Sequence, residues 1–118
     1  MYENVGKILL TGATGFVGGR LLHALTGHGM EVRCLVRSAE RLRERLFPEE
    51  EVEIVTGDLL KPETLDKVLD GIEVAYYMVH SMGGRTIGEN KVFAKRDRNA
   101  ARNFVEAADR AGLARIIY

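Results

Sequence analysis

Tryptophan is absent, and cysteine occurs once, at Cys34. A lone cysteine excludes an intrachain disulfide and deprives a cysteine-built metal cluster of its ligands, so a reducing compartment fits best. With two prolines, Pro48 and Pro62, the chain has no proline-rich linker, and it shows neither internal repeats nor low-complexity tracts. Neither sign of charge is in excess: 17 basic residues offset 17 acidic ones, which implies no overall attraction to nucleic acid or to an anionic membrane. No stretch approaches the roughly 18 apolar residues of a membrane-crossing helix. The opening Met-Tyr-Glu-Asn-Val-Gly-Lys lacks the charged start and long apolar core of a signal peptide. These absences predict a soluble, cytoplasmic protein that binds small molecules, with no nucleic-acid or membrane partner.

What is present is a 46% hydrophobic chain of 118 residues, enough for one domain with one core. Short apolar runs alternate with longer amphipathic segments, the pattern of βαβ units and a parallel sheet. Five strands are expected, at Lys7-Thr11, Glu31-Val36, Val52-Thr56, Val74-Val79 and Arg115-Tyr118. Helices are expected where Val17, Leu21, Ala24 and Leu25 recur, with Gly27 and Gly29 as the stop, and over Ser38 to Leu46, with Ser38 as N-cap. Further helices are expected after Pro62, where Leu65, Val68 and Leu69 form a stripe closed by Gly71, and from about Glu89 to Ala111. On that last helix Phe93, Ala100, Ala101, Phe104, Val105 and Ala108 mark one face, with Gly112 as C-cap. Ser81 to Gly88, with three glycines, reads as a mobile loop. Right-handed crossovers give a three-layer α/β/α, doubly wound parallel sheet in the order 3-2-1-4-5.

The chemistry centres on Thr11-Gly12-Ala13-Thr14-Gly15-Phe16-Val17-Gly18, which follows an apolar strand and opens an amphipathic helix. That context gives the glycine triplet its weight. Gly12 makes a tight turn, Gly15 lets the backbone approach a pyrophosphate, Gly18 packs helix on strand, and the helix start offers N–H groups to the anion. The competing reading is a strand-to-helix turn whose glycines serve packing alone. Arg37 stands at the tip of the second strand, where an acidic residue would hold the ribose hydroxyls and an arginine accommodates a 2'-phosphate. Ser38 and Arg41 are near enough in sequence to add donors, so NADP is preferred, with NAD as the other option. The competing reading makes Arg37 one of several solvated arginines with Arg33, Arg41, Arg43 and Arg45.

Asp58, in Thr56-Gly57-Asp58-Leu59-Leu60, is placed either to accept from the adenine amino group or to shape its own turn, and the two readings weigh equally. The fourth strand leads through Val79 into His80 and Ser81, which could border the nicotinamide ribose. Tyr76 and Tyr77 alternate faces and are expected to pack, Cys34 to behave as a small apolar residue, and His23 and His28 to lie too far apart for a metal site.

With these residues placed, the whole chain resembles the N-terminal part of the short-chain dehydrogenase/reductase superfamily, in its extended or atypical branch. Thr11 to Gly18 matches the branch's T-G-x-x-G-x-x-G turn, and Gly57-Asp58-Leu59 its adenine-side element. The stretch Asp97 to Phe104, followed by Ala107-Ala108, Ala111-Gly112 and Arg115 to Tyr118, looks like the helix and strand that precede the family's catalytic half. Tyr76-Tyr77-Met78-Val79-His80-Ser81 departs from the typical branch and is closer to NmrA-like or nucleoside-diphosphate-sugar epimerase-like members. The resemblance implies a dinucleotide-binding Rossmann domain over residues 1–118, within an oxidoreductase, epimerase or dehydratase acting on a small molecule. It also allows a homodimer formed through helices of the C-terminal half. Because Ile116-Ile117-Tyr118 reads as the start of a buried strand, the expectation is an N-terminal fragment of a longer protein.

The family's catalytic Tyr-x-x-x-Lys does not occur: Tyr76 is followed four residues on by His80, Tyr77 by Ser81 and Tyr2 by Gly6. No catalytic residue is assigned. The alternative, motivated by the atypical fourth strand, is a dinucleotide sensor or assembly protein that binds NAD(P) without turnover.

Overall fold

The computed structural model describes residues 6–79 and 87–118. Five parallel strands form one sheet: β1 (Lys7–Thr11), β2 (Val32–Val36), β3 (Glu53–Thr56), β4 (Ile72–Tyr77) and β5 (Arg115–Ile117), in the expected order β3-β2-β1-β4-β5. Helix α1 (Phe16–Gly27) joins β1 to β2, α2 (Ala39–Arg43) lies between β2 and β3, a 3-10 turn (Pro62–Thr64) and α3 (Asp66–Leu69) precede β4, and α4 (Ile87–Ala111) precedes β5. Among the described residues no helix is long and apolar enough to cross a membrane.

Alternation along the strands splits the core in two. Ile8, Leu10, Val32, Cys34 and Val36 face α1 and α2 with Leu22, Leu25 and Leu42. Leu9, Leu35 and Ala75 face α3 and α4 with Leu65, Val68, Leu69, Phe104 and Ala107. A sheet covered on both faces explains why its strands read as nearly unbroken apolar runs.

Several boundaries move. The fourth strand runs over Ile72–Tyr77 rather than Val74-Val79, because its register against β1 contains an irregularity: Lys7 pairs with Ile72 and Ile8 with Val74, so exposed Glu73 interrupts the apolar pattern. Its far end is fixed by Thr11 pairing with Tyr77, after which Met78 N–H bonds to Thr11 O. Glu31 and Val52 precede their strands, and Tyr118 follows β5. The helix expected over Ser38 to Leu46 is helical only to Arg43 and then closes through three-residue bonds from Arg45 to Leu42 and Leu46 to Arg43. The helix expected after Pro62 is broken into the 3-10 turn and α3, and α4 takes in Ile87 and Gly88. The rest of the expected Ser81 to Gly88 loop lies outside the described residues.

Two helix faces are also corrected. On α1 the buried residues are Gly18, Leu22 and Leu25, while Val17 is 61% exposed and Ala24 is exposed. Gly18 sets this rotation: a Cβ there would lie 1.9 Å from Gly12 O, so this face alone can approach the strand end so closely. On α4 the buried stripe is Ala100, Phe104, Ala107 and Ala108, and Val105 is exposed. Gly29, at φ +75°, ends α1, and Gly112, at φ +73°, follows α4.

Candidate functional site

The site lies at the carboxyl ends of β1 to β4, across the β1–β4 junction where crossovers to opposite faces open a crevice in such a sheet. It is a cleft of about 730 Å³, bordered by Thr11 to Gly18, by Leu35 to Ser38 with Arg41, by Gly57 to Leu60, by Met78 and Val79, and by Arg96, Asp97 and Ala100. That volume is within the range of about 300–1,000 Å³ for small-molecule and cofactor sites.

The turn out of β1 is built by its glycines, each for a different reason. Gly12 has φ +91°, and a Cβ on it would lie 2.5 Å from Met78 O. Gly15 N–H closes the turn on Gly12 O at 3.0 Å, and Gly19 N–H bonds back to Gly15 O at 2.8 Å. Gly12 and Gly18 are thus required by packing alone. Gly15 is less constrained: its φ is an ordinary −81°, and a Cβ there would make one tight contact, 3.3 Å from Gly12 O. Gly15 is also the N-cap of α1, with no side chain capping the helix and no acidic residue in the first turn. Unpaired N–H groups at the positive end of a helix dipole, beside a residue exposed to the cleft with no side chain, fit an anion such as a pyrophosphate.

Arg37 is the first residue after β2 and is exposed at the cleft, with Arg41 exposed one helical turn further on. Ser38 caps α2, its hydroxyl oxygen accepting from Arg41 N–H at 3.4 Å, which leaves its proton to offer a ligand. Arg33 does not belong with these solvated arginines. Its side chain is buried toward α3, where Nη1 donates to Val68 O and Asp70 O, each at 2.7 Å, and Nε to Glu53 Oε1 at 2.9 Å. It satisfies carbonyls at the end of α3 and sits at the opposite end of β2 from the cleft.

The wall beyond β3 is a tightly bonded loop. Asp58 Oδ1 accepts from Leu60 N–H at 2.9 Å, so the turn-forming reading of Asp58 holds, while the residue also borders the cleft. Thr64 Oγ1 accepts from Asp58 N–H at 3.0 Å and lies within donating distance of Asp58 O and Lys61 O. From the other side Asn103 Nδ2 donates to Leu59 O at 2.8 Å. Asn103, Arg96 and Asp97 were not singled out by sequence reasoning. Their signal was position: a polar residue beside the apolar stripe of a long helix, with Arg96, Ala100 and Asn103 spaced by four and three.

Val79 lines the cleft as expected, and His80 and Ser81 lie outside the described residues. Both tyrosines pack: Tyr76 against the α1 side, Tyr77 against Phe104, ring centres 5.0 Å apart. Burial, reinforced by the charge of Asp97 and by Tyr118, pushes the Tyr77 phenol up to about 12. It therefore stays protonated near neutral pH. Cys34 is fully buried, and burial, with the Glu50 charge adding, raises its thiol to about 12. His23 stacks on Phe47 at 4.0 Å and places Nδ1 2.8 Å from Glu50 Oε2.

A parallel sheet in this order, with a glycine turn and an uncapped helix start at its switch point, defines a Rossmann-type dinucleotide-binding domain. The family model described as NAD(P)H-binding matches residues 12–118, and the chain belongs to that family. A ceramide reductase of Caulobacter vibrioides is 40% identical over 111 residues, covering 91% of this chain and 32% of the relative. A photosystem II assembly factor, Ycf39, of Cyanophora paradoxa is 41% identical over 69 residues, covering 58% of this chain and 21% of the relative. The crystal structure of gox2253 superposes with a TM-score of 0.79 at 32% identity, covering 94% of this chain and 33% of that one. The chain spans a third or less of the length of these proteins.

Proposed function

We propose that the chain forms the cofactor half of an NADPH-linked oxidoreductase or epimerase of the short-chain type. The pyrophosphate sits on Gly12 to Gly18 and the α1 start, the 2'-phosphate of NADP between Arg37, Ser38 and Arg41, and the adenine against Asp58 and Leu59. Val79 borders the nicotinamide ribose. The observation that carries this reading is Gly15, whose missing side chain opens onto the cleft at an uncapped helix start and whose backbone conformation does not itself demand glycine. Arg37 supports the preference for NADP, because its guanidinium stands exposed where β2 ends. When bound, the cofactor supplies a hydride or accepts one. The chain's residues bind and orient it. In a longer protein of the relatives' length, the substrate would be a small molecule held by residues outside this chain. The similarity to a ceramide reductase favours a reductase.

The test is a titration of NADP and NAD against the chain and its Arg37→Ala variant. NADP affinity should fall by about tenfold or more, as for loss of a charge-assisted contact, and NAD affinity should change little. Equal weakening of both removes the preference for NADP. A second reading, binding without turnover, is favoured by the similarity to a photosystem II assembly factor. Oxidation of NADPH by the longer protein in a substrate screen rejects it.

A further inference from the structure

We propose that Asn103 is a positioning residue for the adenine half of the dinucleotide, acting through Leu59 rather than by touching the ligand. The proposal rests on the dinucleotide reading of the cleft given above.

The loop from Gly57 to Leu60 forms one wall of the cleft, and α4 contributes another through Arg96, Asp97 and Ala100. The bonds that shape the loop are local. Asp58 Oδ1 to Leu60 N–H spans two residues, and the Thr64 hydroxyl reaches back three to six. Such bonds set the loop's form but not its distance from α4. The bond from Asn103 Nδ2 to Leu59 O, 2.8 Å long, crosses 44 residues and ties one wall to the other.

Helix geometry explains why Asn103 can serve this purpose. Phe104 and Ala107 are buried at 1% and 0% exposure, which fixes the rotation of α4 against the sheet. Residues 96, 100 and 103 then share one flank at spacings of four and three, so the carboxamide lies behind the same wall that Arg96 and Ala100 present to the cleft. A flat base gripped between two walls is sensitive to their separation, so breaking the Asn103 bond acts on the adenine and not on the glycine turn.

The experiment titrates the full chain, as wild type, Asn103→Leu and Asn103→Asp, with NADP, NAD, AMP and nicotinamide mononucleotide, following backbone amide shifts. Leucine keeps the volume without the donor. Aspartate keeps the shape and turns an acceptor toward Leu59 O. Loss of one partly buried hydrogen bond corresponds to about 3- to 10-fold in affinity. Both variants should weaken NADP, NAD and AMP equally by that factor, leave nicotinamide mononucleotide unchanged, and shift the amides of Asp58 to Leu60 before any ligand is added. Folded variants that bind AMP like wild type overturn the proposal. So does equal weakening of AMP and nicotinamide mononucleotide, which reports a general loosening, and so does loss of fold in both variants. Wild-type chain that binds neither the dinucleotides nor AMP overturns the cofactor reading itself and this proposal with it, an outcome distinct from the others.

Discussion

A Cβ placed on Gly18 would lie 1.9 Å from the carbonyl oxygen of Gly12. This close approach brings the first turn of α1 onto the end of β1 and rotates Val17 outward to the cleft mouth. Gly18→Ala should therefore cost about 1–3 kcal/mol, the usual penalty for forcing atoms into a packed site. Gly15→Ala, whose new Cβ meets Gly12 O at 3.3 Å, should cost less stability than Gly18→Ala yet bind NADP at least tenfold more weakly. Thermal melts paired with ligand titrations separate the two effects. A neutral Gly18→Ala, or a Gly15→Ala that binds normally, contradicts the division of labour among the glycines.

Acid should destabilise the fold through two carboxyls. Burial alone would raise Glu50, but the Thr26 hydroxyl at 2.6 Å, the Phe47 N–H at 2.7 Å and His23 together outweigh it and hold the group below its ordinary 4.5. Glu53 is lowered by its hydrogen bonds from Arg33 and Lys7. A depressed folded-state pKa stabilises above the unfolded value, and that stability is lost as pH falls through the folded value. The melting temperature should hold from pH 7 to about 5 and fall below about 4.5, with a shallower fall in Glu50→Gln. Glu53 is half-exposed and contributes less to the fall. A melting temperature unchanged down to pH 3 counts against both assignments.

The strand order, the glycine turn and the place of Arg37 at the end of β2 were legible in the sequence because each depends on local chemistry: apolar runs, turn residues and a fixed offset along one βαβ unit. Faces and partners were not. Val17 and Val105 are apolar but point away from the core, since the rotation of α1 is fixed by Gly18 and that of α4 by Phe104 and Ala107. Asn103 and Arg33 act on carbonyls 44 and 35 to 37 residues away, distances over which no periodicity reports. The β4 boundary was hidden by Glu73, the residue in the register irregularity against β1.

Arg33 supplies the next prediction, because it bonds two carbonyls at the end of α3 remote from the cleft. Arg33→Met should destabilise the fold by about 1–3 kcal/mol by leaving those acceptors without their donor. NADP affinity of the folded fraction should stay unchanged. Weakened binding without lost stability would place Arg33 in the site, against the geometry.

Cys34 should be chemically silent in the native chain. Its side chain is fully buried, and its thiol is raised to about 12, so little thiolate exists at pH 8 and a reagent has no path to it. A thiol-specific chromophoric reagent should react with it only after denaturant is added. Rapid labelling of native protein contradicts the buried placement.

The measurement closest to the central claim is a backbone amide titration with NADP. The account predicts the largest shifts at Gly12 to Gly18, followed by Arg37 to Arg41 and Asp58 to Leu60, with NAD moving the glycine turn but disturbing Arg37 less. Shifts that spare Gly12 to Gly18 while appearing elsewhere, or no shifts at millimolar NADP, contradict it.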